Sequence, residues 1–166
     1  MIRIAIATFA PLALAACATV PEAAGHAYPE ARSFAVSPDP MAQVDAALAR
    51  AGQRDTRVLL VMGANWCHDS RALAGWLETQ RFAELVEANY ELVFVNVGMP
   101  QTGDGHNLDI AQRFGLDTLP GTPNLLVIDA GGNLLNADSA TSWRNAASRS
   151  EDAIYAELSA LSGKAG

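Results

Sequence analysis

The chain has only two cysteines among its 166 residues, Cys17 and Cys67, so it lacks the disulfide framework that holds together many small secreted domains. Basic residues are also scarce, since 11 Lys and Arg stand against 18 Asp and Glu and give a formal net charge of −7. Because an acidic surface repels phosphate backbones, nucleic-acid binding is disfavoured. Half of the residues are apolar, which is enough to build one core without disulfides.

The amino terminus lacks an apolar run long enough to cross a bilayer as a helix. Its apolar stretch, residues 4–13, follows the positive charge of Arg3 and is interrupted by Pro11. Small residues come next. A short positive region, an apolar stretch and small residues in that order predict a secretory signal peptide over residues 1–16.

The quartet Leu-Ala-Ala-Cys at residues 14–17 resembles the lipobox of bacterial lipoproteins. The resemblance implies that the chain is cut before Cys17 and that Cys17 is lipidated, which would anchor the protein in the cell envelope facing the periplasm. Several acyl chains anchor a protein stably, where a single chain would be marginal. Ala18 rather than Asp follows the cysteine, and in that family's sorting pattern this favours the outer membrane. The alternative is an ordinary signal peptide with an incidental cysteine.

The stretch after the cysteine, residues 17–39, is rich in Ala, Pro, Ser and Glu and shows no sustained period. It is therefore predicted to be a flexible tether between the lipidated Cys17 and the domain, with room for one short strand at residues 33–36.

Residues 40–162 are predicted to form a single α/β domain. Asp39 can cap a helix that starts at Pro40 and ends at Gly52. Beyond it, apolar runs bounded by polar residues or glycine predict buried strands, and stretches with helical spacing lie between them. The predicted strands are 58–62, 91–97, 124–128 and 133–135, and the later helices are one after Cys67 that continues or restarts through Val86, one at 107–114 and one capped by Ser150. This order predicts a mixed sheet covered on both faces.

The sequence Trp66-Cys67-His68-Asp69-Ser70 joins a predicted buried strand to the start of a helix. A thiol at this place lies at the positive end of the helix dipole, beside backbone N–H groups that have no partner, and both stabilise the thiolate. The thiolate is the form that attacks disulfides. Cys67 is therefore predicted to be a nucleophile.

The segment from Val58 to Arg71 resembles the thioredoxin superfamily, in particular periplasmic members whose loop reads Trp-Cys-Pro-Asp-Cys-Arg. The likeness continues through the Gly-Thr-Pro sequence at residues 121–123 and covers roughly residues 40–162. It implies a thioredoxin-like fold with a mixed central sheet flanked by helices on both faces.

The resemblance also implies roles for individual residues. Pro123 would follow a cis peptide bond and pack against Cys67, and the backbone at Thr122 would pair with a bound peptide. Trp66 would be a partly exposed lid beside the sulfur. These residues, Trp66, Thr122 and Pro123, are the predicted substrate-binding residues.

Three residues depart from the family pattern. Ser70 replaces the second cysteine, His68 replaces the usual proline or glycine, and Val61 stands where thioredoxins often carry a buried Asp. A serine hydroxyl cannot attack a mixed disulfide, so an outside thiol must resolve any adduct on Cys67. His68, if cationic, would further stabilise the thiolate, although both it and Asp69 could simply face solvent.

These observations predict a monothiol thiol–disulfide exchange protein, isomerase-like or forming mixed disulfides, with Cys67, His68 and Ser70 at its catalytic site. Its partners would be cysteine-containing envelope proteins or a small thiol, and no cofactor is expected. One alternative is a redox-inactive thioredoxin-like scaffold that binds protein partners. Another is copper handling through Cys67, His68 and His106, although no paired metal-ligand spacing is present and no metal site is predicted.

Overall fold

A computed structural model of the protein describes residues 28–163. Within them the helices are α1 (Pro40–Arg54), α2 (His68–Leu77), α3 (Gln80–Asn89), α4 (Leu108–Arg113) and α5 (Glu151–Leu161), and the strands are β1 (Arg57–Gly63), β2 (Tyr90–Asn96), β3 (Gly98–Met99), β4 (Asp104–Gly105) and β5 (Asn124–Ile128). Single turns of 3₁₀ helix lie at Pro100–Thr102 and Ala146–Ser148.

The central sheet of the described residues has three strands in the order β2-β1-β5. β1 runs parallel to β2, with Leu60 opposite Val93, and antiparallel to β5, with Leu60 opposite Leu126. Residues 58–62 of β1 are completely buried, because helices cover both faces of the sheet. The predicted mixed α/β architecture is therefore confirmed.

The two faces of the sheet carry separate hydrophobic cores, because successive side chains of a strand point to opposite faces. Val58, Leu60 and Met62 of β1 pack with α1 and α4 on one face. Leu59 and Val61 pack with α2, α3 and α5 on the other, where Trp143 is fully buried.

Helix α1 begins where its sequence predicts and ends two residues later than expected. The Asp39 carboxylate accepts a hydrogen bond from the Ala42 N–H at 2.9 Å, and Pro40 occupies the first turn. The predicted stop at Gly52 is wrong, because Asp55 adopts the left-handed conformation (φ 53°) that ends the helix. Helix α5 is capped as predicted, with Ser150 Oγ accepting from the Ala153 N–H.

The fourth strand predicted at residues 133–135 is shortened to a single antiparallel bridge between Ile128 and Leu134, with the Leu135 N–H donating to the Val127 carbonyl at 2.8 Å. The reason lies in the preceding turn, where the Asp129 carboxylate accepts hydrogen bonds from the backbone N–H groups of Gly131 and Asn133 and from the Asn133 side chain. These bonds hold the chain in a compact bend in place of an extended hairpin.

Residues 28–39, which we call the amino-terminal strap, pack against the domain. Phe34 is 1% exposed, and its ring meets Phe94 edge-on at 5.3 Å between centroids. No strand forms at residues 33–36, because the backbone of Phe34 bonds to side-chain amides instead. The described part of the predicted tether therefore belongs to the folded unit, which begins before Pro40.

Candidate functional site

Cys67 lies at the junction between β1 and α2. Residues 64–66 turn the chain after Gly63, and the Cys67 N–H donates to the Ala64 carbonyl at 3.1 Å. Cys67 is the N-cap residue of α2, with its own carbonyl accepting from the Arg71 N–H. The thiol therefore sits at the amino end of a ten-residue helix, as the sequence predicts.

The sulfur of Cys67 contacts the segment that precedes β5. Cys67 Sγ donates to the Thr122 carbonyl oxygen at 3.3 Å, and the Thr122–Pro123 peptide bond is cis. Cys67 is a free thiol, and the residue is largely buried, with 7% exposed. The structure thus brings Cys67 together with Thr122 and Pro123, the first of which lies 55 positions further along the sequence.

Trp66 covers the opposite flank of the loop. The residue is 51% exposed, and its role as a lid beside the sulfur stays a prediction. Its indole N–H donates to the Gly98 carbonyl at 3.0 Å, which ties it to the small hairpin of β3 and β4. Gly98 has a φ of 61°, a conformation that glycine adopts without strain. The hairpin therefore borders the site.

Ser70, the residue at the position of the second family cysteine, is fully buried. Its hydroxyl oxygen accepts a hydrogen bond from the Ala64 N–H at 3.3 Å. Because Ser70 lies on the first turn of α2, it faces the same loop as Cys67. The hydroxyl thus supports the loop, and it supplies no second sulfur.

His68 and Asp69 differ in exposure. The His68 side chain is 64% exposed, and its Nε2 lies 3.3 Å from Asp69 Oδ2. Asp69 is buried, and its other carboxylate oxygen accepts from the Ala147 N–H at 2.8 Å. The alternative that both simply face solvent therefore does not hold for Asp69, which joins α2 to the 3₁₀ turn at Ala146–Ser148.

Two polar side chains brace the loop from behind. Asn65 exchanges two hydrogen bonds with the Phe34 backbone, donating through Nδ2 at 3.0 Å and accepting through Oδ1 at 3.2 Å. Arg71 donates to the carbonyls of Asn65 and Trp66, both at 3.1 Å, and pairs with Glu30 at 3.2 Å. Both links join the strap to the loop that carries the thiol.

The copper alternative requires Cys67, His68 and His106 to converge. Over residues 28–163 no group of three His, Cys, Asp or Glu side chains is arranged to hold a metal ion. His106 instead lies against Gly98 in the hairpin, where its N–H donates to the Val97 carbonyl. The geometry gives no support to a copper site.

The predicted signal peptide, the lipidated Cys17 and most of the tether lie outside the described residues. No helix of the described part is long and apolar enough to cross a membrane.

A reactive-type cysteine at a helix start, a cis proline beside it and a mixed sheet between helices define a thioredoxin-like protein. The family model described as Thioredoxin-like matches residues 39–130, and the chain belongs to this family. It is also similar to the crystal structure of a disulphide isomerase from Xylella fastidiosa Temecula1, with 30% identity and a TM-score of 0.68. That match covers 79% of this chain and 98% of the other. No curated protein sequence gives a significant match.

Proposed function

We propose that this protein performs thiol–disulfide exchange in the bacterial cell envelope, with Cys67 as its single nucleophile. The observation that carries the proposal is the position of Cys67 Sγ at the start of α2 and 3.3 Å from the Thr122 carbonyl. Membership of the thioredoxin-like family and the likeness to a disulphide isomerase support chemistry of this type.

The exchange begins when Cys67 loses its proton to solvent and attacks one sulfur of a substrate disulfide. The substrate S–S bond breaks as the new bond to Sγ forms, and the departing sulfur leaves with the electron pair and takes a proton from water. The helix start stabilises the negative charge on Sγ before attack. Thr122 lies where it can receive the backbone of an extended substrate.

Completion of the cycle needs a second thiol that the described residues do not supply. Ser70 occupies the place of a resolving cysteine, and a hydroxyl cannot displace a thiolate from a disulfide. A thiol of the substrate itself, or a small thiol, therefore attacks the mixed disulfide and releases Cys67. The first route rearranges the substrate's disulfides. In the second, the small thiol becomes disulfide-bonded to the substrate sulfur, and a second small thiol displaces it, so that the substrate disulfide is reduced and the two small thiols leave joined as their own disulfide.

The envelope location rests on the signal peptide predicted over residues 1–16 and on Cys17. An oxidising envelope supplies the disulfides on which such a protein acts. Lipidation of Cys17 would leave Cys67 as the only free thiol of the mature chain, since the sequence has two cysteines.

Trapping in cells tests the proposal. Cells expressing the full chain are quenched with acid and alkylated, and the extract is run on a non-reducing gel. We expect mixed disulfides that disappear on reduction and are absent from the Cys67→Ala variant. Val36→Ala, at a position that is 83% exposed, serves as a control that keeps the adducts.

A second candidate function is partner binding without turnover, which the replacement of the second cysteine by Ser70 favours. In that case the full chain captures no disulfide-linked partner, and the Cys67→Ala variant binds the same proteins as the wild type. This pattern would replace the exchange proposal.

A further inference from the structure

We propose that Arg144 gives the Cys67 site a preference for disulfides that carry a carboxylate close to the reacting sulfur. The preference concerns the same site and therefore rests on the exchange function proposed above.

Arg144 is held against the loop that leads to the cis proline. It follows Trp143, which is fully buried and fixes the chain at this point. The Arg144 Nη1 lies 3.4 Å from the Pro120 carbonyl oxygen, and its Cδ would be 2.9 Å from a Cβ built on Gly121. Only a residue without a side chain lets the arginine stem lie this close to the backbone.

The residue after Gly121 is Thr122, whose carbonyl accepts from Cys67 Sγ. Since neighbouring Cα atoms are about 3.8 Å apart, the guanidinium lies within a few residue lengths of the sulfur. A substrate laid along Thr122 would thus reach the segment that Arg144 contacts.

Arg144 forms no ion pair within the described residues, although it donates to the Pro120 carbonyl. Of the nine arginines in residues 28–163, six pair with carboxylates, and Arg144 is not among them. The paired arginines are Arg50, Arg54, Arg71, Arg81, Arg113 and Arg149. The carboxylate that approaches this part of the chain, Asp69, already binds the Ala147 N–H and His68.

An exposed guanidinium of this kind suits a carboxylate, which it can bind through two parallel N–H donors. The protein as a whole carries a net charge of −7 and repels anions. A local positive group beside the thiol offsets that repulsion for a substrate whose carboxylate lies a few atoms from its sulfur.

Three small disulfides of similar length test the preference with the full chain: 3,3′-dithiodipropionate is anionic, bis(2-hydroxyethyl) disulfide is neutral and cystamine is cationic. The rate of adduct formation is measured by quenching and peptide mapping, which distinguishes Cys67 from Cys17. We expect the anionic disulfide to react faster than the cationic one, with the preference shrinking as salt is added.

Substitution of Arg144 identifies the group responsible. In Arg144→Gln the ratio of the anionic to the neutral rate should fall about fivefold, the size of a single charge interaction at contact distance in water. Arg144→Lys should retain most of the preference. Arg113→Gln, which removes the same charge from the α1–α4 side of the molecule, should leave all three rates as in the wild type.

The outcomes separate the two proposals. If Cys67 forms no adduct with any of the three disulfides, the exchange function itself is overturned. If all three react but substrate charge changes the rate neither among them nor between matched Glu and Gln peptides, or if the preference survives in Arg144→Gln, the role of Arg144 is overturned and the exchange function stands.

A pair of peptide disulfides identifies the source of the carboxylate. One peptide carries Glu beside its cysteine and the other carries Gln. An Arg144-dependent preference seen with the peptides alone points to acidic segments of envelope proteins, whereas one already seen with 3,3′-dithiodipropionate points to a small carboxylate-bearing thiol.

Discussion

The two ends of β1 differ in the groups that surround them. At the Arg57 end, which we call the wide end, lies a cavity of about 410 Å³ whose lining includes Asp55, Arg57, Asp129 and Ser162. At the Gly63 end, which we call the narrow end, lies Cys67, which is only 7% exposed. The first end has a charged cavity, and the second has the thiol.

The charged side chains of Arg57 and Asp129 at the wide end already have hydrogen-bond partners. Arg57 donates to the Leu161 carbonyl. Hydrogen bonds from the Asn133 side chain and backbone hold the pKa of Asp129 below its usual range, so this carboxylate is ionised and occupied. Cys67 Sγ makes one hydrogen bond, to the Thr122 carbonyl, and a bound substrate can displace it. For the exchange chemistry proposed here, a reactive atom with few partners is therefore a better guide to the site than cavity size.

The largest expected change is a gain of reductase activity when a second sulfur is added at the narrow end. Ser70→Cys places a thiol on the first turn of α2, where it can resolve an adduct on Cys67. We expect little insulin-reduction activity from the wild type and a clear gain in the variant. Ser162→Cys adds a thiol at the wide end and should gain nothing. Strong activity of the wild type would contradict the monothiol mechanism.

The next largest expected change is a loss of stability when the strap, which contacts the loop at the narrow end, is weakened. Phe34→Ala removes a buried ring that contacts Phe94 and leaves a cavity beside Gly63, so we expect a loss of about 3 to 4 kcal/mol in the free energy of unfolding. Val36→Ala, two residues away and exposed, should cost less than about 0.5 kcal/mol. Urea titration followed by circular dichroism measures both. Equal stability of the two variants would show that the strap does not belong to the folded unit.

The smallest expected change is a pH-dependent loss of stability on substitution of Glu91, near the wide end. Burial raises the pKa of Glu91, but hydrogen bonds from Arg50 and Arg54 outweigh it, so the pKa lies below its usual range. A carboxylate with a lower pKa in the folded state stabilises the fold above about pH 4.5, and this contribution is lost as the pH falls further. Glu91→Gln should therefore cost about 1 to 2 kcal/mol at neutral pH and less in acid. A difference that does not shrink below pH 4 would contradict this assignment.

Elements with strong local signals were predictable from the sequence. The start of α1 follows from Asp39 and Pro40, and the burial of β1 follows from its continuous apolar run, because these signals act within a few residues. The position of Cys67 at a helix start follows in the same way. The contact of Cys67 with Thr122 came only from the family resemblance.

Contacts between distant segments were not predictable. The packing of Phe34 depends on Asn65 and Asn96, whose amides meet its backbone only after the chain has folded. The position of Arg144 depends on the course of the chain around Gly121. The end of α1 was missed because Asp55, an unusual residue for the left-handed conformation, took the role expected of glycine.

If Cys17 is lipidated, the strap would also limit the distance between the thiol of Cys67 and the membrane. The strap is hydrogen-bonded to the loop that carries Cys67. If Cys17 is acylated, as the sequence predicts, the segment that links the folded unit to the membrane would therefore begin near Tyr28 and run back to Cys17. The stretch from Cys17 to Tyr28 spans at most about 40 Å when fully extended. The reaction would then be confined to a thin layer above the lipid surface, and substrates would have to diffuse into that layer to be exchanged.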